Sequence, residues 1–569
     1  MSCTSGKGYS LVMSKIWLSS YPAGVPVEID PSRYSSVTHM AEQCFTEFAD
    51  RPAYIQMGRQ ITYGDLDHES KAFGAWLQHR TGLKRGDRVA IMMPNVLQYP
   101  IALFGVLRAG GTVVNTNPLY TARELEHQLK DSGAETIVIL ENFAHVLQEV
   151  IERTSVRTVI LTSVGELLGF PKRNIVDFVV RRVRKSVPAY QLPGALRFSD
   201  ALREGRGLKL TRHALTHDEL AFLQYTGGTT GVSKGAMLSH GNMVANVLQS
   251  SAWTEAVLPR DEVGIAITAL PLYHIFALTA NCILFLRLGW TNVLITNPRD
   301  FPAFVAELKK YKFTYMSGVN TLFNALLHTP GFDQVDFSKL RCTLGGGMAV
   351  QRAVAERWKQ VTGCILTQAW GLTETSPAAC INPIDVDFND SIGLPISSTE
   401  IGIADDDGKM LPVGELGEIC VRGPQVMKGY YKRPEETAKV MLPHGWLRTG
   451  DIGRMDQKGF VYIEDRKKDM INVSGFNVYP NEVESVAVTR SGVLEAAAVA
   501  KADERSGEAV ALFVVRKDPK LTEEQIIEHC RRSLTGYKVP RYVYFRKELP
   551  KTNVGKILRR ALRDEAQTL

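Results

Sequence analysis

Short apolar runs alternate with amphipathic segments through the first third of the chain. Residues 89–93 form an apolar run that stops at Pro94, and residues 112–114 and 136–140 form two similar runs. Between the first two, residues 98–108 have helical spacing and end at a Gly-Gly pair, where a helix C-cap belongs. Buried strands that alternate with helices are typical of a parallel sheet with helices on its faces.

The following segments continue the alternation and then depart from it. Thr121 and Glu124 form a capping box that opens a helix toward Ser132. Residues 217–400 repeat the pattern of strands and helices around several Gly-rich turns, whereas residues 400–465 change to short strands separated by turns. The pattern therefore predicts a second α/β region followed by a small β-rich subdomain.

A dense charge run at residues 465–469 separates this region from a last segment of different character. Residues 496–499, 510–515 and 542–545 have the pattern of strands, and Thr522 caps a helix. We expect an α/β protein with a large N-terminal domain of doubly wound mixed sheets plus the β-rich subdomain, and a small α+β C-terminal domain. The predicted boundary places residues 1–467 in the first domain and residues 468–569 in the second.

Composition and charge narrow the class of protein. The 569 residues are 44% hydrophobic and 22% charged, which excludes a disordered or collagen-like chain. The net charge of +7 is mild and fits an anionic substrate or an anionic lipid surface, while no nucleic-acid partner is expected. The eight cysteines lack CxxC spacing and the histidines lack HxxxH spacing, so we expect a reduced cytoplasmic protein without a zinc site. The most apolar window, residues 278–285, is too short to cross a bilayer, and residues 1–12 are polar and could lie outside the fold.

The most informative segment is the Gly-rich stretch YTGGTTGVSKG at residues 225–235. Closely spaced glycines let backbone N–H groups converge on an oxyanion, and the hydroxyls and Lys234 add further donors. The alternative, a flexible surface turn, is disfavoured by so many hydroxyls beside one cation. The spacing also differs from a Walker loop, in which Gly precedes the Lys and Ser or Thr follows it. The predicted phosphate-binding residues are Tyr225, Thr226, Gly227, Gly228, Thr229, Thr230, Gly231, Val232, Ser233, Lys234, Gly235 and Ala236.

This loop resembles the phosphate-binding signature of the adenylate-forming, or acyl-activating, enzymes, although Ser233 stands where many members have Pro. A second stretch, Trp370-Gly371-Leu372-Thr373-Glu374, resembles another motif of that family, with Trp in place of the usual Tyr. The resemblance implies that Trp370 stacks on adenine beside Gly371 and that Thr373 contacts a phosphate. It also implies that Glu374 holds Mg²⁺ together with Thr229.

The charge run resembles the segment in which this family changes from one domain to the next. The resemblance implies that Asp451 binds the ribose hydroxyls, that Arg466 also contacts the nucleotide and that Lys468 lies at the hinge. The other charges of the run, Lys467 and Asp469, are interpreted as ordinary solvated side chains.

The C-terminal segment carries two further matches. Ser474 and Gly475 resemble the loop that approaches the pantetheine arm of CoA, and Lys556 follows a Gly turn near the C-terminus, where the family places a Lys that reaches the active site. The implied catalytic residues are Lys234, Thr373, Glu374 and Lys556. For the acyl end of the site and the adjoining adenine wall, the resemblance implies His274, Gly318, Val319, Gly346 and Gly347.

The resemblance covers residues 17–565, and residues 444–468 are similar to the extended signature of fatty-acid members, above all bacterial long-chain fatty acid–CoA ligases. It implies a mobile C-terminal domain and a two-step reaction with ATP, Mg²⁺ and CoA. A fatty acid and ATP give acyl-adenylate and pyrophosphate, and the CoA thiol then displaces AMP. Two alternatives stay open, namely an acyl-adenylate ligase that loads a carrier protein and a non-catalytic lipid- or nucleotide-binding protein. Chain-length preference, pathway and oligomeric state, a homodimer included, are also left open.

A basic stretch suggests a lipid surface as a further partner. Residues 172–185 carry six cations against one acid, and Ile175, Phe178, Val179 and Val183 recur at near-helical spacing. This pattern is typical of a helix that lies in a membrane interface, and it predicts a peripheral position on the inner face of the cell membrane. The alternative is a surface helix with a solvated charged rim.

Overall fold

The computed structural model describes residues 15–226, 233–256, 258, 263–503, 505–552 and 555–569. The helices in these ranges are α1 (Val37–Glu47), α2 (Tyr63–Trp76), α3 (Gln98–Arg108), α4 (Ala122–Ser132), α5 (Ala144–Val150), α6 (Lys172–Phe178), α7 (Phe198–Gly205), α8 (His240–Glu255), α9 (Ile275–Ala277), α10 (Leu284–Leu288), α11 (Phe301–Leu308), α12 (Asn320–Leu327), α13 (Arg352–Thr362), α14 (Pro434–Val440), α15 (Pro480–Val488), α16 (Glu523–Arg531) and α17 (Arg559–Ala566).

The strands of the first half of the chain are β1 (Pro52–Gln56), β2 (Arg59–Thr62), β3 (Arg88–Met92), β4 (Thr112–Asn115), β5 (Thr136–Leu140), β6 (Thr158–Thr162), β7 (Leu196–Arg197), β8 (Leu220–Thr226), β9 (Lys234–Ser239), β10 (Ile265–Thr268) and β11 (Thr291–Leu294). The later strands are β12 (Tyr315–Gly318), β13 (Cys342–Gly345), β14 (Leu366–Gly371), β15 (Ala378–Ile381), β16 (Leu394–Pro395), β17 (Glu400–Ala404), β18 (Gly417–Arg422), β19 (Met441–Leu442), β20 (Trp446–Met455), β21 (Val461–Arg466), β22 (Ile471–Val473), β23 (Phe476–Val478), β24 (Val493–Asp503), β25 (Gly507–Arg516) and β26 (Tyr542–Arg546).

Two large sheets build the N-terminal region. The seven-stranded sheet has the order β7-β6-β5-β3-β4-β8-β9 and is parallel except where β9 runs antiparallel to β8. The nine-stranded sheet has the order β16-β15-β14-β13-β12-β10-β11-β1-β2, with a parallel centre and antiparallel edges. The predicted strands at residues 89–93, 112–114 and 136–140 are β3, β4 and β5, and the predicted helices are α3 and α4, the latter with its capping box at Thr121.

Two smaller sheets follow. Residues 400–466 form an antiparallel sheet of five strands, β17-β18-β20-β19 with β21 on β20, as the pattern predicts for residues 400–465. The last sheet has the order β23-β22-β25-β24, with β26 parallel to β25, and it carries α15, α16 and α17. Its apolar residues form clusters of their own, such as Ile471, Val510 and Leu512, so this region has a separate core.

The apolar stretch at residues 278–285 is one part of a buried helical segment that ends at Leu288. Within the described ranges, no helix is long and apolar enough to cross a bilayer.

Candidate active site

The Gly-rich loop connects two strands at the edge of the seven-stranded sheet. Thr226 at the end of β8 lies opposite Lys234 at the start of β9, and Tyr225 lies opposite Gly235. The predicted phosphate-binding residues Gly227, Gly228, Thr229, Thr230, Gly231 and Val232 lie outside the described residues. The hairpin therefore brings both ends of the loop, and the ammonium of Lys234, to one point of the sheet edge.

The loop base is held by packing from both sides. The Tyr225 hydroxyl donates to Asp131 at 2.8 Å, and burial together with that carboxylate raises the pKa of Tyr225 well above its usual range. A Cβ on Gly235 would lie 3.1 Å from the Tyr225 ring, so only glycine leaves the ring undisturbed here. His127 bonds the backbone carbonyl of Ser233 through Nε2 at 2.9 Å.

Residues 428–431 run beside β9 and bring a second group of side chains to Lys234. Ala236 bridges to Tyr430 in antiparallel fashion, and the backbone N–H of Met237 donates to Gly429 at 2.9 Å. The Lys234 ammonium is ion-paired with Glu436 on α14 and lies 5.2 Å from the centre of the Tyr430 ring. The loop cation is thus held by groups that lie about 200 residues away in sequence.

Glu374, the predicted magnesium ligand, lies in the 3₁₀ turn Thr373–Thr375 directly after β14. Its Oε1 accepts a hydrogen bond of 2.6 Å from the Tyr430 hydroxyl, and both Thr373 and Glu374 are half-buried. A Cβ on Gly371 would lie 1.8 Å from the backbone oxygen of Pro377, so this position requires glycine for close backbone approach. The Thr373 hydroxyl and the Glu374 carboxylate therefore follow the end of β14, a strand that is parallel to β13, and ligands bind at such strand ends in open α/β sheets.

Trp370, Asp451 and Arg466 form one unit, in which Trp370 and Asp451 are buried and Arg466 is partly exposed. The Trp370 indole N–H donates to Asp451 Oδ2 at 2.9 Å, and the guanidinium of Arg466 lies 2.9 Å from Asp451 Oδ1. Asp451 and Arg466 face each other across β20 and β21. Each carboxylate oxygen has a second lone pair, so Asp451 keeps acceptor capacity for two further donors such as vicinal hydroxyls.

Lys556 reaches the large N-terminal region from the turn that precedes α17. A narrow cavity is lined by Lys556 together with His274, Phe276, Val319 and Gly347. A Cβ on Gly347 would lie 3.3 Å from Lys556 Cε, so the absence of a side chain there makes room for the lysine stem. Burial first, and then the nearby charge of Arg466, lower the pKa of Lys556 from 10.5 to about 8, while Asp451 opposes the shift.

His274 is a neutral group in the wall of this cavity. Burial lowers its pKa from 6.5 to about 3, and the charge of Lys556 adds to the effect. Its Nδ1 accepts from the backbone N–H of Phe276 at 3.3 Å, which leaves the ring proton on Nε2. Gly318 and Gly346 each precede a residue of the cavity wall, Val319 and Gly347, and the Gly346 N–H donates to the backbone oxygen of Gly318 at 3.2 Å.

The charge run at residues 465–469 is more buried than its sequence indicates. Asp469 is buried and pairs with Arg563 at 3.1 Å, so its interpretation as a solvated charge is wrong; two arginines of α17 fold back over it. Lys467 is exposed and pairs with Asp406 at 2.6 Å. The pKa of Lys468 is lowered by partial burial and by the charge of Arg466.

The predicted CoA loop is a two-residue hairpin turn between β22 and β23. Ser474 and Gly475 both have positive φ, 53° and 87°, and the Gly475 N–H donates to Asn472 Oδ1 at 2.9 Å. Both residues are exposed, and a Cβ on Gly475 would meet no described atom within 4 Å. This loop is therefore open to solvent while Lys556 is buried in the cavity.

Sequence reasoning missed three residues that contact the predicted set, namely Tyr430 at Glu374, Glu436 at Lys234 and Asp131 at Tyr225. No local pattern identifies them, because their partners are 56, 202 and 94 residues away.

Comparison with known proteins defines the family. Residues 41–431 match the profile of the AMP-binding enzymes, and residues 482–556 match that of the AMP-binding enzyme C-terminal domain. The chain belongs to the AMP-binding enzyme family. The predicted resemblance to adenylate-forming enzymes is thereby confirmed.

Curated relatives extend over the whole chain. A "Long-chain-fatty-acid--CoA ligase" of Escherichia coli O6:H1 is 57% identical over 556 residues, which cover 98% of this chain and 99% of that protein. A protein of the same name from Bacillus subtilis is 38% identical and covers 97% of this chain and 98% of its own length.

Solved structures share the architecture. ATP-bound MatB from Rhodopseudomonas palustris superposes with a TM-score of 0.79 at 27% identity, over 93% of this chain and 99% of that one. The anthranilate CoA ligase AuaEII in complex with anthranoyl-AMP has a TM-score of 0.83 at 24% identity, over 95% and 99%. The predicted fold class, with mixed α/β sheets, a β-rich subdomain and a small C-terminal domain, is confirmed as that of this family.

Proposed function

We infer that this AMP-binding enzyme is a long-chain fatty acid–CoA ligase of the AMP-forming type. The observation that carries this conclusion is the 57% identity over nearly the full length of a relative with that name. The chain activates a long-chain fatty acid as its acyl-adenylate and transfers the acyl group to CoA.

The first step needs positive charge at the α-phosphate. A carboxylate oxygen of the fatty acid attacks the α-phosphorus of ATP and pyrophosphate leaves, so charge builds on the phosphoryl oxygens. The ammonium of Lys556, in the cavity with His274 and Gly347, is placed to stabilise that charge, and Lys234 and Thr373 supply further donors to the phosphates. His274 contributes a neutral N–H donor at the carboxylate end.

The residues at the end of β14 fit a magnesium ion. Glu374 offers a half-buried carboxylate beside predicted phosphate-binding groups, and Mg²⁺ is usually held by one or two carboxylates together with substrate phosphates. Glu374 would hold the ion, with Thr229 as the second predicted ligand. When bound, it neutralises charge on the leaving pyrophosphate.

The nucleoside end is formed by the Trp370–Asp451–Arg466 unit. The indole ring of Trp370 provides a face for adenine, and the free lone pairs of Asp451 accept from the ribose hydroxyls. Arg466 pairs with the Asp451 carboxylate at 2.9 Å and orients it.

The second step requires a different part of the C-terminal region. The CoA thiolate sulfur attacks the acyl carbonyl carbon and AMP leaves, so the bulk of Lys556 must give way to the pantetheine arm. We place the domain boundary at 467/468 with Lys468 at the hinge, supported by the separate core after residue 471 and by family matches that end at residue 431 and resume at residue 482. Rotation about this hinge brings the Ser474–Gly475 turn toward the acyl-adenylate.

An acid-length series tests the activity. AMP formation is measured with saturated fatty acids of increasing length, with and without CoA. Long acids should give AMP turnover that depends on free CoA. Turnover that needs an acyl carrier protein instead of CoA would favour the carrier-loading alternative, and absence of pyrophosphate release would favour the non-catalytic one.

A lipid surface is a second proposed partner, and the supporting observation is an exposed apolar patch formed by Phe170, Ile175, Phe178 and Val183. Phe170 is 88% exposed, and the other three are 59%, 61% and 64% exposed. Such a cluster on one short segment is unusual for a surface in water.

The cations around the patch divide into two groups. Arg181 is ion-paired at 2.6 Å with buried Glu141, and Arg184 lies 3.6 Å from Asp300. These two arginines therefore make ion pairs within the protein. Arg173, Arg182 and Lys185 are exposed beside the patch. On an anionic leaflet each such cation contributes about 1 kcal/mol.

Co-sedimentation with phosphatidylglycerol vesicles tests this partner. A variant with Phe170→Ser, Ile175→Ser and Phe178→Ser should lose binding and keep turnover of dissolved fatty acid. The matched control changes two exposed apolar residues elsewhere, Val386→Ser and Leu416→Ser, and should bind as the unmodified protein does. Equal binding of all three proteins would exclude the patch as the lipid contact.

A further inference from the structure

The ion pair between Lys234 and Glu436 lies at the proposed phosphate site and has no part in the activity described above. Glu436 stands in the first turn of α14, where a carboxylate also interacts favourably with the helix N-terminus. Its Oε2 pairs with Lys234 and its Oε1 lies 2.5 Å from Lys439 of the same helix. Hydrogen bonds from these two ammonium groups, that of Lys234 first, lower the pKa of Glu436 to about 2.

The position of Glu436 is set by the backbone. Residues 428–431 pair with β9, and the N–H of Tyr431 donates to Gly235 at 2.8 Å, immediately beside Lys234. Thr437, in the same turn as Glu436, accepts from the backbone N–H of Tyr430 at 2.9 Å. Lys234 lies on β9, and the bond from Tyr430 to Thr437 ties the start of α14 to the segment that pairs with β9, so the backbone brings Glu436 close to Lys234.

The Tyr430 ring completes the arrangement. The ammonium of Lys234 lies over this ring, and the Tyr430 hydroxyl is bonded to Glu374 at 2.6 Å. Lys234 is therefore held between an acid and a ring that is anchored on the proposed metal ligand.

An ATP phosphate and Glu436 need the same ammonium. We propose that Glu436 is the counter-ion that positions Lys234 between turnovers and that the phosphates of ATP must displace it, so that Glu436 sets the affinity for ATP by competition. This inference rests on the proposed role of Lys234 as a phosphate ligand. Both side chains are about one-third exposed, 34% and 31%, so the competition is modest in size.

Equilibrium binding of a non-hydrolysable α,β-methylene analogue of ATP tests the proposal without turnover. Glu436→Gln should lower the Kd about two- to five-fold, the range that an exposed ion pair supports. Glu436→Asp keeps the charge and should stay near the unmodified protein. The matched control is Glu435→Gln, which removes the same charge from the same helix turn at an exposed position and should leave the Kd unchanged.

The second arm uses Lys234→Gln as background. Adding Glu436→Gln there should not change the Kd further, because the ammonium for which Glu436 and the phosphates compete is absent. A weaker affinity in Glu436→Gln, an effect equal to that of Glu435→Gln, or a full effect in the Lys234→Gln background would each overturn the counter-ion role. Unchanged affinity in Lys234→Gln alone would instead overturn the proposed phosphate role of Lys234, so the two failures are distinguishable.

Steady-state kinetics separate positioning from a general structural effect. The KM for ATP should fall in Glu436→Gln while the KM for the fatty acid stays constant, because His274 and Val319 lie in a different part of the site. Equal changes in both KM values would contradict a role confined to Lys234.

Discussion

Two glycine turns of the C-terminal region have nearly the same backbone conformation and very different surroundings. Gly555, before Lys556, has a φ of 82°, and Gly475 has a φ of 87°. A Cβ on Gly555 would lie 2.8 Å from Thr321 Oγ1 of the N-terminal region, whereas a Cβ on Gly475 would meet no described atom within 4 Å. One turn is docked and the other is open to solvent.

Under the proposed two-step mechanism, this arrangement of the chain corresponds to the first half-reaction. The Thr321 hydroxyl of the N-terminal region donates to the Gly555 carbonyl of the docked turn at 3.1 Å, and Lys556 lines the cavity beside His274. A second turn cannot occupy the same cavity at the same time. If the two turns serve different steps, as proposed, variants in each should separate the steps.

Lys556→Ala should have the largest effect. It removes the ammonium that faces the reacting phosphate, and loss of one such group slows a reaction roughly a hundred- to a thousand-fold. Pyrophosphate release should fall by that factor while thioester formation from supplied acyl-adenylate persists. Lys551→Ala, which breaks only the pair with Glu495 at 2.6 Å, is the control. Equal loss of both half-reactions would contradict the separation of roles.

Gly475→Leu should give the opposite pattern and a smaller effect. The leucine projects into open space and narrows the path of the pantetheine arm, so thioester formation should slow on the order of ten-fold, or about 1.4 kcal/mol. Pyrophosphate release should be unchanged. Gly363→Leu is the matched control, since Gly363 has a φ of 73° and equally open surroundings in the N-terminal region. Slower pyrophosphate release in Gly475→Leu would show that this turn is not confined to the second step.

The pH dependence should distinguish the turns as well. Because burial lowers the pKa of Lys556 to about 8, its ammonium is intact at lower pH and is lost as the pH rises through that value. The adenylation rate should therefore fall about five-fold between pH 8 and pH 9. Thioester formation from supplied acyl-adenylate lacks this dependence. An adenylation rate that is flat to pH 10 would exclude the ionisation of Lys556 as the controlling group.

Trp370→Ala should have the smallest effect, because it removes one contact to the nucleotide and both half-reactions share that nucleotide. Loss of an aromatic contact should weaken ATP binding by about 1 kcal/mol. The KM for ATP should therefore rise a few-fold, and the KM for the fatty acid should stay unchanged. Trp370→Phe keeps the ring but loses the hydrogen bond to Asp451, so it separates stacking from orientation of the carboxylate. Unaltered ATP dependence in both variants would make Trp370 a core residue.

Much of this protein was predictable from local patterns. Residues 98–108 became α3 at those bounds, and the Thr121 box caps α4, because capping and helical periodicity act over a few residues. The motifs around Lys234, Trp370, Asp451 and Lys556 were also visible, since turn glycines and their neighbours are contiguous. The sequence pattern identified the apolar positions Ile175 and Phe178, which the structure leaves exposed, whereas no local pattern indicated that Arg181 pairs with Glu141.

The contacts between distant segments were decided by the tertiary structure alone. Asp469 has the local pattern of a solvated charge, and its burial depends on arginines of α17, of which Arg563 lies 94 residues further along the chain. Glu436 meets Lys234 only because residues 428–431 pair with β9. Likewise the pKa of Lys556 depends on burial in a cavity built from the other domain. Local sequence determines turns, caps and strand faces, whereas charge pairing and burial depend on which surfaces the fold brings together.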